Sequence, residues 1–183
     1  MTKIDLSIRE KSIVFIGFMG VGKTTVAKLV AEKLYRDFID IDKEIEREFS
    51  LTTTEIFEQY GEPFFREKEK EYVLRYCTKP LKIISLGGGA FLQESIRDIC
   101  MEHCIVFYLD ISWESWKERL HMLVDSRPVL QEKSLSEVKE LFENRKSIYE
   151  QHDSKLLTDN FNPEEVADYI IESLKLAWEL HSI

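Results

Sequence analysis

Eight consecutive residues, Gly17-Phe18-Met19-Gly20-Val21-Gly22-Lys23-Thr24, match the pattern G-x-x-x-x-G-K-[ST] in full. Each position has a physical task. Glycines let backbone N–H groups turn inward and surround phosphate oxygens. A helix beginning at Lys23 would add the positive end of its dipole. Lys23 would neutralise charge on the outer phosphates, and Thr24 would offer a hydroxyl to Mg²⁺. A glycine-rich turn can match such a pattern by accident. Here a β-branched run precedes it and an amphipathic segment follows, which is the context that phosphate binding requires. The motif implies nucleotide binding and leaves the reaction open.

Two carboxylates follow. Asp40 and Asp42 lie 17 and 19 residues after Lys23, at the end of a short apolar run. A strand ending there, beside the first, would bring both near the phosphate loop. Asp40 could then hold metal-bound water, since magnesium keeps several waters. Asp42 could accept the proton of an attacking hydroxyl or orient it. Capping of the next helix is the other reading of Asp42.

Cations come later in the chain. Gly61-Glu62-Pro63-Phe64-Phe65-Arg66 puts an arginine on the first turn of a charged helix, where Glu62 could steady it, and Arg145 lies four residues before Tyr149. Each guanidinium offers a planar fork suited to a carboxylate. Taken singly, either could be a surface residue, and Arg36, Arg47, Arg75 and Arg97 are read that way. Glu62, Glu67, Lys68, Glu69 and Glu71 read as a solvated helix face. Gly87-Gly88-Gly89 ends a third apolar run, where either a sharp turn or a close backbone approach to a ligand would need glycine. Arg127-Pro128-Val129-Leu130 falls in a stretch of weak periodicity, either a plain surface loop or a loop that carries Arg127 over the phosphates.

The elements that must position these residues alternate in type. Strands are expected at 12–17, 38–41, 82–86, 104–109 and 155–158. Helices are expected at 23–34, 42–49, 53–60, 63–76, 93–100, 113–121 and 134–149, and from Pro163 onward. Such alternation predicts an α/β domain in three layers, αβα, with a parallel sheet between helices. Ligands of such sheets lie at the carboxyl ends of the strands, where all of these motifs fall.

Composition narrows the classes. The chain has 183 residues, the size of one domain, with 44% hydrophobic and 32% charged residues. A net charge of −9 argues against a nucleic-acid binder and requires any anion site to be basic only locally. No apolar run reaches membrane-spanning length, and the start MTKIDLSIREK is polar, so a cytoplasmic protein is expected. Cys77, Cys100 and Cys104 have no framework spacing and suggest a reducing compartment. Cys100-x-x-His103-Cys104 lacks the further ligands of a zinc site. Asp110 ends a strand as a metal-holding aspartate would, but Asp40 already fills that place. Trp113 and Trp116 share a helical face and read as packing.

Taken in order, the phosphate loop, the Asp-x-Asp of IDIDKEIE, the GE-x-x-FR of Gly61 to Arg66, the triple glycine, the Arg-Pro segment and an Arg-x-x-x-Tyr resemble the shikimate kinase family from about Ile13 to Ile171. The resemblance implies a fold like that of nucleoside monophosphate kinases, with five parallel strands, a core at 13–171 and a mobile lid at 122–133 within a single domain, 1–183. It implies that ATP phosphates lie on Gly20, Val21, Gly22, Lys23, Thr24 and Thr25, with Mg²⁺ on Thr24 and, through water, Asp40. Asp42 would bind the shikimate hydroxyls and act as base. Arg66 and Arg145 would grip the carboxylate, Gly88 would touch the substrate through its backbone, and Arg127 would close over ATP. Lys23, Asp42 and Arg127 thus form the implied catalytic set. The implied partners are ATP and shikimate, bound by a monomer, with no nucleic acid or membrane. Departures are Val129 where leucine is usual, and Lys146-Ser147-Ile148-Tyr149 where the family ends in Pro-Leu-Tyr. Arg119 resembles an adenine-stacking arginine, set one residue further from Arg127 than usual. Two rival readings are a kinase for another hydroxy acid such as gluconate, and a nucleotide-binding regulator without turnover.

Overall fold

A computed structural model describes residues 7–120 and 133–180. Strand β1 (Ser12–Ile16) is buried along its whole length, as a β-branched run between two neighbours must be. It pairs in parallel with β3 (Lys82–Ser85) on one side and β4 (Cys104–Asp110) on the other. β2 (Asp37–Asp40) and β5 (Ser154–Leu157) form the edges, giving the order β2-β3-β1-β4-β5, all parallel. The order therefore reverses at β1, and the phosphate loop leaves β1 at that switch point, where open α/β sheets form their ligand crevice.

Helices cover the sheet. α1 (Lys23–Leu34) packs on the last helix, α8 (Pro163–Leu180). α4 (Glu62–Cys77) packs on α5 (Glu94–His103), and the short α2 (Ile41–Phe49) and α3 (Thr53–Tyr60) lean on α4. α6 (Trp113–Glu118) follows β4, and α7 (Leu135–Tyr149) precedes β5. The result is the expected three-layer αβα fold with five parallel strands. No described helix is long and apolar enough to cross a membrane.

Caps explain the boundaries. β2 was expected to run through Ile41. Instead Asp40 accepts the Lys43 N–H at 3.2 Å, so the helix begins at Ile41, which is fully buried. The capping residue is thus Asp40, and Asp42 sits in the first turn. Thr52 with Glu55 and Ser134 with Glu137 form capping boxes at α3 and α7. α6 ends at Glu118, short of the expected 121, and residue 121 lies outside the described residues. So does the expected lid, with Arg127, apart from Lys133.

The loop leaves β1 under tight constraint. Gly17 has φ +142°, and a Cβ there would meet the Leu109 carbonyl oxygen of β4 at 2.4 Å. Gly17→Ala is expected to lower the unfolding free energy by about 2–3 kcal/mol. Urea denaturation reads this as a lower midpoint at unchanged slope. A midpoint at or above that of the parent would mean that β4 gives way freely.

Candidate active site

At the switch point Lys23 is nearly buried, 8% exposed, and its ammonium donates to the Gly17 carbonyl at 2.9 Å and the Phe18 carbonyl at 3.1 Å. The loop is anchored from outside as well. Trp116 on α6 is fully buried and donates its indole N–H to the Met19 carbonyl at 2.7 Å, and Arg119 reaches the Val21 carbonyl at 3.3 Å. Trp116 was expected only to pack, and its stack on Trp113 at 5.3 Å bears that out, but its polar edge also holds the loop. Thr24 donates to Asp40 Oδ2 at 3.0 Å and lies 3.3 Å from the Ser85 hydroxyl. Parallel pairing of β2 with β3 sets Asp40 opposite Ser85, so the strands bring these oxygens together. A hydroxyl, a carboxylate and a second hydroxyl are hard oxygen donors of the kind a magnesium ion takes.

The other expected residues converge on the triple glycine. A Cβ at Gly87 would lie 2.6 Å from Asp42 Oδ1, and one at Gly89 would lie 2.8 Å from Arg66 Nη2. The Gly88 carbonyl accepts from the Tyr149 hydroxyl at 2.6 Å and from Arg145 at 3.3 Å. The glycines therefore serve close approach: any side chain at 87 or 89 would displace Asp42 or Arg66.

The two arginines are held differently. Arg66 donates to Glu62 at 2.8 and 3.0 Å and to Glu69 at 2.6 Å, and its guanidinium lies over Phe57 and Phe65. Burial opposes its charge, but the two carboxylates outweigh that and raise its pKa. Arg145 is held by no acid within ion-pair distance among the described residues. Its Nε is buried without a hydrogen-bond partner there. Burial, with Arg66 nearby, pulls its pKa below the usual arginine range, although Tyr149 works against this. A carboxylate ligand would satisfy both the orphaned donor and the excess charge.

Glu69 does not belong to the solvated face expected of it with Glu62, Glu67, Lys68 and Glu71. It is 1% exposed, pairs with Arg66, and also accepts from the Gln93 amide at 3.1 Å. The readable signal was its place in the stripe Phe65, Glu69, Tyr72, Val73, at helical spacing among residues that are all buried. Arg36 and Arg97 likewise serve the structure, donating to main-chain carbonyls of Lys11 and of Phe91 and Leu92. Asp110 is buried and occupied. It accepts from Tyr108 and from the Ile111 N–H at 2.9 Å each, and pairs with Lys155 and Lys146. Cys77, Cys100 and Cys104 are buried together as free thiols. Hydrogen bonds to the other two, then burial, hold the Cys77 thiol well above its ordinary range.

A parallel sheet of this order, with a phosphate loop at its reversal point and helices on both faces, makes the chain a P-loop kinase of the αβα class. The comparisons narrow the class. A family model for shikimate kinase matches residues 19–175. A shikimate kinase of Bacillus subtilis is 58% identical over 180 residues, 98% of this chain and 97% of the relative. One from Oceanobacillus iheyensis is 59% identical over 95% of each chain. The solved structure of a shikimate kinase from Acinetobacter baumannii in complex with shikimate superposes with a TM-score of 0.84 at 30% identity, covering 92% of this chain and 94% of that one. The chain belongs to the shikimate kinase family.

Burial pushes the Glu69 carboxyl up to about 7 from its ordinary 4.5; Arg66 pulls it down and Asp42 adds to the rise. The folded protein thus keeps this proton after the unfolded chain has lost it. The stability it contributes is present below about 4.5 and lost as pH rises through about 7. Glu69→Gln cannot titrate. Its unfolding free energy relative to the parent should therefore rise between these two pH values, by up to about 3 kcal/mol. Parallel pH profiles would mean that Glu69 stays charged throughout.

Proposed function

We propose that this chain transfers the γ-phosphoryl group of ATP to the 3-hydroxyl of shikimate, giving 3-phosphoshikimate and ADP. The observation that carries the reading is the convergence of Asp42, Arg66 and Arg145 on Gly87-Gly88-Gly89, beside the phosphate loop. One carboxylate for hydroxyls and two guanidinium groups for an acid match an acceptor that bears both.

Gly20, Val21, Gly22, Lys23, Thr24 and Thr25 hold the ATP phosphates on backbone N–H groups, the Lys23 ammonium and the first turn of α1, which no side chain caps. Arg66 and Arg145 fork onto the substrate carboxylate, and Gly88 lies along the ring. That orients the 3-hydroxyl towards Asp42, which accepts its proton as the oxygen attacks in line. Lys23 and Arg127 take up charge on the transferring group. Thr24, and Asp40 through water, are the residues that would hold Mg²⁺, whose charge would offset that of the phosphates. We read the protein as one domain, residues 1–183 with its core at 13–171, monomeric and cytoplasmic, with Arg127 carried on a lid at 122–133 and no nucleic-acid or membrane partner.

The direct test follows ADP release from ATP and Mg²⁺ with shikimate, quinate, gluconate or buffer alone. Rapid release with shikimate alone supports reaction and substrate together. Release with gluconate instead would move the substrate, and no stimulation beside intact ATP binding would favour a regulator. Asp42→Asn should lower kcat at least about 100-fold while ATP binding survives. Unchanged turnover would remove Asp42 as the base. Gly89→Ala, which forces Arg66 aside, should raise the KM for shikimate about tenfold at near-normal thermal stability. An unaltered KM would separate Arg66 from the carboxylate.

A further inference from the structure

The phosphate-loop pattern leaves its second and third positions free, so Phe18 and Met19 carry no assigned task. The structure gives them one. Phe18 is 4% exposed although it belongs to a ligand-binding loop. Its ring packs edge-on against Phe142 at 5.0 Å and Trp116 at 5.2 Å, which fix its orientation. The guanidinium carbon of Arg145 lies over the Phe18 ring, 5.7 Å from its centroid. Met19 lies against the neighbouring group, its backbone N 3.3 Å from where a Cβ of Gly88 would stand.

A half-buried guanidinium needs some compensation for lost water. Arg66 finds it in two carboxylates, whereas the described partners of Arg145 are a carbonyl oxygen, the Tyr149 hydroxyl and this ring face. A carboxylate in that place would neutralise Arg145 and compete with an incoming acid. The negative face of an aromatic ring steadies the cation without cancelling its charge. We propose that Phe18 is a positioning residue for the acceptor: its ring holds Arg145 in the pose that receives the substrate carboxylate, and so ties acid binding to the nucleotide loop.

This rests on the reading of Arg145 as a carboxylate ligand, and the test separates the two. Phe18 is replaced in the full-length chain by phenylalanines bearing one, two and three ring fluorines, which keep the ring's shape and drain its negative face. Shikimate KM should climb stepwise, reaching about fivefold or more with three fluorines. The KM for ATP, the kcat at saturation and the melting temperature should stay near parent values, because uniform binding of the acid affects KM alone. A structural role would not produce that graded split. Arg145→Met is measured in parallel. If it raises shikimate KM strongly while the fluorinated series stays flat, the role of Phe18 is overturned and that of Arg145 stands. If Arg145→Met leaves the KM intact, both fall. Should fluorination lower the melting temperature in proportion to the KM change, the ring acts by packing and the proposal fails.

Discussion

Asp42 and Arg66 close on the same few ångströms of main chain because Gly87 and Gly89 carry no side chains. Much of the site follows from that steric allowance. The strand that ends at Ser85 delivers backbone rather than bulk to the carboxyl edge of the sheet. A carboxylate from α2 and a guanidinium from α4 can then reach opposite ends of one turn. Gly88 between them turns its carbonyl to Tyr149 and Arg145, which ties the last helix before β5 to the same point. Helices distant in the chain are thus registered against a single stretch of backbone.

Charge is managed locally against an acidic whole. The chain carries −9, yet cations gather at the crevice, Lys23, Arg66 and Arg145 among them. Lys23 is tied to loop carbonyls, Arg145 to a carbonyl, the Tyr149 hydroxyl and a ring, and Arg66 to two glutamates. At Arg145, which no described acid pairs, the positive charge is oriented without being cancelled, which is what recognition of an anion needs. Glu69 is the exception, and burial keeps its carboxyl on the edge of protonation. The Arg66 pair therefore has a buried partner that can be neutral or charged.

The roles that the sequence left open, and the one it misread at Glu69, share a cause. Asp42 was a candidate cap, but Asp40 makes that bond while also accepting from Thr24. Both readings fit the Asp-x-Asp spacing, and only the start of α2 separates them. Glu69 stands among neighbouring charges and so reads as solvated, although its helical phase puts it on the buried stripe. Ser85, Trp116 and Phe18 fell at positions where many residue types would satisfy the local pattern. Their roles come from contacts made far along the chain.

The phosphate loop was determined by sequence alone because its chemistry is local. Its glycines, lysine and threonine must be contiguous to wrap one phosphate group, so the spacing carries the meaning. The alternation of strands and helices likewise settled the layers, since each apolar face must be covered. The ordered motifs pointed to the family for the same reason. What the tertiary structure decided is which side chains are buried and what they face: Glu69 beneath Arg66, Ser85 beside Thr24, and the Phe18 ring under Arg145. Desolvation and ring geometry depend on how helices pack across the sheet, and no spacing along the chain encodes that.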